Sequence, residues 1–137
     1  MSKILFLGKN VFFLQKCAER LRWKGHDVLV HNDVFDGLRE MMIFNVSCIV
    51  WDVDTNEPSR TRKYQAIQRY HRYTPVVIID DHREAYEQDL DRDTYFMTNN
   101  PAVDELVNKI VDLVPPRVVY SEENAYNNLE KEYGMSD

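Results

Sequence analysis

The run Cys48-Ile49-Val50-Trp51-Asp52-Val53-Asp54 constrains this chain more than any other stretch: an unbroken apolar segment delivers a carboxylate, and a second carboxylate follows two positions later. An apolar run without alternation belongs to a strand buried on both faces, and such strands sit in parallel sheets covered by helices on either side. Val76-Val77-Ile78-Ile79 repeats the device and ends on Asp80-Asp81. Two strands of this kind place Asp52 and Asp80, with their neighbours Asp54 and Asp81, at the carboxyl edge of one sheet, where open α/β folds bind ligands. Strand ends are also simply wet, which explains a single Asp equally well.

The rest of the chain alternates in the same way. Strand character at 3–7 precedes a helical stripe at 11–24, in which Phe13, Cys17 and Leu21, flanked by Leu14 and Ala18, are apolar and Gly25 is the stop signal. A strand at 27–30 leads to a helix that Asp33 can cap, with Val34, Leu38, Met41 and Met42 on its buried face. After the strand at 46–51, Pro58 opens a helix to about residue 72. A strand at 76–79, a short helix at 82–90 and a strand at 95–98 follow. Asn100-Pro101 then opens a last helix carrying Val103, Leu106, Val107, Ile110 and Leu113, which Pro115-Pro116 ends. Five strands alternating with helices over so short a length demand right-handed parallel crossovers. The expected fold is α/β and flavodoxin-like, a five-stranded parallel sheet of order 2-1-3-4-5 with helices on both faces. Residues 1–115 form the domain and 116–137 an extension. In that extension Ser121 can cap a short helix with Tyr126, Leu129 and Tyr133 on one face.

Composition narrows the function. No apolar run approaches the roughly 18–20 residues that span a bilayer, so no membrane association is expected. A formal charge of −6 disfavours general nucleic-acid binding. Cys17 and Cys48 lie in apolar contexts without metal spacing, as reduced thiols of a cytoplasmic protein do. The histidines at 26, 31, 71 and 82 lack zinc spacing and read as surface residues. There is no Gly-rich phosphate loop and no nucleophile elbow.

Element order and local phrases resemble the receiver domain of bacterial two-component response regulators over residues 3–114. Lys3-Ile4-Leu5-Phe6-Leu7 resembles that family's first strand, His26 to Val30 with Asp36-Gly37-Leu38 its second strand and helix, Cys48 to Asp52 the strand presenting its phosphoacceptor, Thr74 to Ile79 the fourth strand, and Asp93 to Met97 the fifth. The resemblance implies that Asp52 is the acceptor position. It also exposes departures. Gly8 and Lys9 stand where the family has two magnesium-anchoring acids, Asp80 where it has a hydroxyl residue, and Thr98, followed by Asn99, where it has a lysine. Phosphoryl transfer needs metal and cations to neutralise developing negative charge. Losing acids and lysine and adding a carboxylate therefore points away from the ordinary switch. Lys9 would substitute as a cation beside Asp52, lock it in an ion pair, or simply be a solvent-exposed loop lysine.

Asp52-Val53-Asp54-Thr55 also resembles the nucleophile motif of haloacid dehalogenase phosphatases, with Asp80-Asp81 as their metal acids. Only 25 residues separate Asp54 from Asp80, too few for that family's intervening core, and the motif strand would come first rather than third. Clustering of Asp52, Asp54, Asp80 and Asp81 as a magnesium or calcium site is a further option, limited by strand alternation. The helix after Pro58 carries Arg60, Arg62, Lys63, Arg69 and Arg72 interleaved with Tyr64, Tyr70 and Tyr73, a surface for RNA or an acidic partner or merely a solvated face.

The sequence thus reads as a receiver-like cytoplasmic signalling protein, not an enzyme. It acts by protein–protein interaction, without a cofactor and without conventional phosphorylation of Asp52. The alternatives are a phosphorylatable single-domain response regulator using Asp52 and a small magnesium phosphohydrolase using Asp52 and Asp54. By resemblance, the surface from 82–90, 95–98 and 101–114 is the expected site of partner binding or homodimerisation.

Overall fold

The computed structural model describes residues 3–70, 74–82, 86 and 93–114. The expected helix at 82–90, apart from His82 and Tyr86, and the whole extension at 116–137 lie outside these residues.

The five apolar runs form β1 (Lys3–Gly8), β2 (Asp27–His31), β3 (Cys48–Asp52), β4 (Val76–Ile79) and β5 (Thr94–Met97). All neighbours pair in parallel, in the order β2-β1-β3-β4-β5. The helices are α1 (Val11–Trp23), α2 (Val34–Arg39), α3 (Arg60–Tyr70) and α4 (Val103–Leu113), with a 3-10 turn at Glu40–Met42. Local chemistry sets their starts. The Asn10 side chain accepts from the Phe13 amide, Asp33 accepts from the Asp36 amide, and Glu105 accepts from the Ala102 amide at 2.8 Å. Gly25, at φ 95°, turns the chain out of α1.

Strand alternation divides the core into two layers. Ile4, Phe6, Cys48, Val50, Val77 and Ile79 face α1 and α4, whereas Leu5, Leu7, Ile49, Trp51, Val76 and Ile78 face α2 and α3. The central strands β3 and β4 are almost wholly buried, as their unbroken apolar runs require.

Three expectations are corrected. Met42 does not join the buried face of the second helix but is 74% exposed, because α2 tightens into the 3-10 turn and rotates that side chain outward. His26 is buried, not a surface residue; it sits in the turn between α1 and β2, and burial together with Lys24 lowers its pKa. The basic helix is not uniformly solvated: Lys63 is buried, Arg60 is turned into an ion pair with Asp80, and Tyr64 packs against the sheet. Among the described arginines of α3, Arg62 and Arg69 face outward.

Candidate functional site

Asp52 closes β3, directly opposite Gly8 of β1 on one side and Ile79 of β4 on the other. Counting along the strand puts its side chain on the α1/α4 layer. There it lines a polar pocket of about 130 Å³ together with Lys9, Asn10, Asp54, Thr55, Asn99 and Asn100. The loops after β1, β3 and β5 supply all of these residues, so the pocket lies at the carboxyl edge of the sheet. Asn100 holds a left-handed backbone at φ 58°, which Asn tolerates better than most residues.

Negative charge dominates around Asp52. The Asp54 side chain accepts from the Thr55 amide at 3.0 Å, while the Asp54 amide donates to Glu57 at 2.7 Å. Glu57 in turn takes the Lys63 ammonium at 2.5 Å, and this pair is deeply buried. Lys63 is thus spent on Glu57. Among the described residues no ion pair joins Lys9 to Asp52, so of the readings open to Lys9 the fixed ion pair does not form. Burial, then Asp54, then Glu57 push the Asp52 carboxyl up to about 6.

Asp80 is not part of this pocket. It extends β4 one residue past Ile79, the partner of Asp52, and so points into the opposite layer. The Tyr86 hydroxyl donates to it at 2.6 Å, the His82 amide donates at 3.0 Å, and the Arg60 guanidinium lies 3.2 Å away. Burial alone would raise the Asp80 pKa, but Tyr86, His82 and Arg60 together bring it below the ordinary value. Tyr86 packs edge-on against Trp51 and Tyr64, with Phe96 tilted beside it. Asp81 turns to the loop after β5, accepting from the Asn99 amide at 2.8 Å and from its side-chain nitrogen at 3.0 Å. Thr98 is exposed. The four-acid cluster conceived from the sequence is therefore split among three places, with only Asp52 and Asp54 sharing a pocket.

The receiver resemblance implies a magnesium ion beside Asp52, and the residues present do not fit one. A Cβ at Gly8 would lie 2.9 Å from both Cβ and the carbonyl oxygen of Asp52, so no acid has room there on this backbone. Lys9 brings a cation in place of the second acid. Among the described residues no three His, Cys, Asp or Glu side chains converge as metal ligands.

Two participants, Glu57 and Tyr86, do not stand out in the sequence, and Lys63 stands out there only as one of a row of cations. Glu57 and Lys63 pair across a loop, and Tyr86 reaches Asp80 from a separate segment. Neither spacing is a helix or strand period, so no local pattern marks them. Asn100 stands out in the sequence only as the opening of the last helix, and Asn10 and Asn99 belong to no motif there.

No protein-family model matches the sequence, and no curated protein matches it. Solved structures do. A two-component response regulator from Clostridium difficile superposes with a TM-score of 0.69 at 13% identity, over 83% of this chain and 96% of its own. The chemotaxis protein CheY4 of Vibrio cholerae gives 0.67 at 16% identity, over 83% and 99%. A streptococcal protein described as one of a family of redox sensors evolved from two-component response regulators gives 0.65 at 16% identity, over 90% of this chain and 55% of its own. No helix among the described residues is long and apolar enough to cross a membrane. The chain has the CheY-like receiver-domain fold of two-component response regulators.

Proposed function

We propose that this is a receiver-like signalling protein that works by binding other proteins and does not run the ordinary aspartyl-phosphate switch. The observation that carries the reading is the charge around Asp52. The position keeps its carboxylate but has lost the paired acids and the lysine, and Asp54 and Glu57 add negative charge that raises its pKa. A phosphoryl group arriving here would bring more negative charge to a site without the metal ligands and cation that normally neutralise it. The buried contacts of Asp80 support the same reading, because the residue at the hydroxyl position is tied to Arg60 and Tyr86 in the other layer. Redox sensors evolved from response regulators, as one structural neighbour is described, are a precedent for signalling on this fold by other means. Protein partners would meet the domain over β5, the edge strand, and α4.

Incubation with acetyl phosphate and magnesium, followed by intact-mass measurement, tests this. The protein should remain unmodified. An adduct of one phosphoryl group that disappears in Asp52→Asn would overturn the proposal and make Asp52 a working acceptor. Steady release of phosphate from a generic phosphate ester, lost in Asp52→Asn, would instead make the chain a phosphohydrolase.

A further inference from the structure

We propose that the C-terminal segment 118–133 of this chain docks in cis on the outer face of α1, between Trp23 and Phe12. The buried side of α1 is Leu14, Cys17, Ala18 and Leu21. Directly opposite runs the ridge Phe12, Lys16, Glu19 and Trp23, and its two aromatic ends lie about 20° apart around the helix axis. Phe12 is 74% and Trp23 85% exposed. Among the described residues the other large apolar side chains so exposed, Met42 and Ile43, lie together beyond α2, so α1 carries both of the exposed aromatic ones. A shallow groove of about 230 Å³ lies along this ridge, lined by Phe12, Gln15, Lys16, Glu19 and Arg22. The Lys16 ammonium sits 4.6 Å from the centre of the Phe12 ring, so the groove offers cation and aromatic surface together.

Topology brings the segment to this face. α1 follows β1 and α4 follows β5, both strands run the same way, and the two helices pack side by side in one layer. Their C-terminal ends therefore lie at the same end of the domain, and the chain leaves α4 at Val114 at the Trp23 end. The stretch from Pro115 to Tyr120 reaches roughly 20 Å when extended, enough to pass from α4 to α1. Beyond it, Tyr126, Leu129 and Tyr133 recur at helical spacing. Thirteen residues from 121 to 133 match the 13 residues of α1 in length.

Charge is complementary as well. Residues 9–24 hold five cations, Lys9, Lys16, Arg20, Arg22 and Lys24, against Glu19; Arg20 is already paired with Asp104 of α4, which leaves four against one. Residues 115–137 hold Glu122, Glu123, Glu130, Glu132 and Asp137 against Arg117 and Lys131. An antiparallel arrangement sets Glu122 and Glu123 near Arg22 and Lys24, and Glu130 and Glu132 near Lys16.

Trp23 reports on this directly in the full chain, because the other tryptophan, Trp51, is fully buried and contributes a constant background. Acrylamide quenching of the full chain should find Trp23 shielded, equally at low and high protein concentration. The tail variant Tyr126→Glu/Leu129→Glu should expose it, with a severalfold rise in the quenching constant and a small fall in unfolding midpoint, because a segment docked only on the folded domain stabilises it. Lys16→Glu/Arg22→Glu should expose it in part and regain shielding when combined with Glu122→Lys/Glu130→Lys. Equal quenching of wild type and tail variant would overturn the proposal. Shielding that appears only as concentration rises would overturn it too, assigning the segment to a second copy.

Discussion

Replacing Asp52 with Asn should stabilise the protein above neutral pH and leave it unchanged in acid. In the folded chain the carboxyl is pushed from 3.8 to about 6 by burial and by the charges of Asp54 and Glu57. Because its folded pKa is raised, protonation of Asp52 favours folding; that contribution is fully present below pH 3.8 and is lost as the pH rises through about 6. A shift of that size corresponds to at most roughly 3 kcal/mol, and partial solvent exposure of the group reduces it to about 1–2 kcal/mol. Urea unfolding of wild type and Asp52→Asn at matched pH values measures the difference. The variant should be more stable by about 1–2 kcal/mol at pH 8, with the gap closing between pH 6 and pH 4. Titrations common to both proteins cancel, which isolates residue 52. A variant less stable than wild type at pH 8 would refute the reasoning. It would mean that Lys9 or another cation stabilises the ionised form.

Tyr86→Phe removes the hydroxyl that donates to the buried Asp80 carboxylate and should cost about 1.5–3 kcal/mol in thermal or urea unfolding. Its effect should fade as the pH falls through the lowered pKa of Asp80, where that carboxylate protonates. Lys63→Met strands the buried Glu57 carboxylate and should cost about 3–5 kcal/mol. Restoring neutrality with Glu57→Gln should recover most of that loss in a double-mutant cycle. Gly8→Ala pushes a Cβ against the Asp52 carbonyl and should cost about 1–3 kcal/mol. Cys17 and Cys48 are buried thiols pushed up to about 11 and about 12. A thiol reagent should therefore label neither in the native protein and both in denaturant.

The order of elements, the parallel sheet and the two-layer core were legible because each rests on local periodicity. Unbroken apolar runs such as 48–51 and 76–79 must be buried on both faces, and helical stripes such as Leu14, Cys17, Ala18 and Leu21 must cover them. That Asp52 stands at the carboxyl edge follows from the same pattern.

Which acids share a site did not follow from it. Asp52 and Asp80 both close an apolar strand and look equivalent in sequence. The register pairs Asp52 with Ile79, so Asp80 falls one residue beyond, and one residue along a strand turns a side chain to the other face. Asp52 therefore meets the loops after β1 and β5, and Asp80 meets Arg60 and Tyr86 on the far side. The same holds for the cations of α3, which look solvated in a linear reading until packing turns Arg60 and Lys63 inward to buried carboxylates. Sequence fixes the spacing of neighbours along one element. Contacts between elements depend on register and rotation, which only the packing of the whole sheet determines.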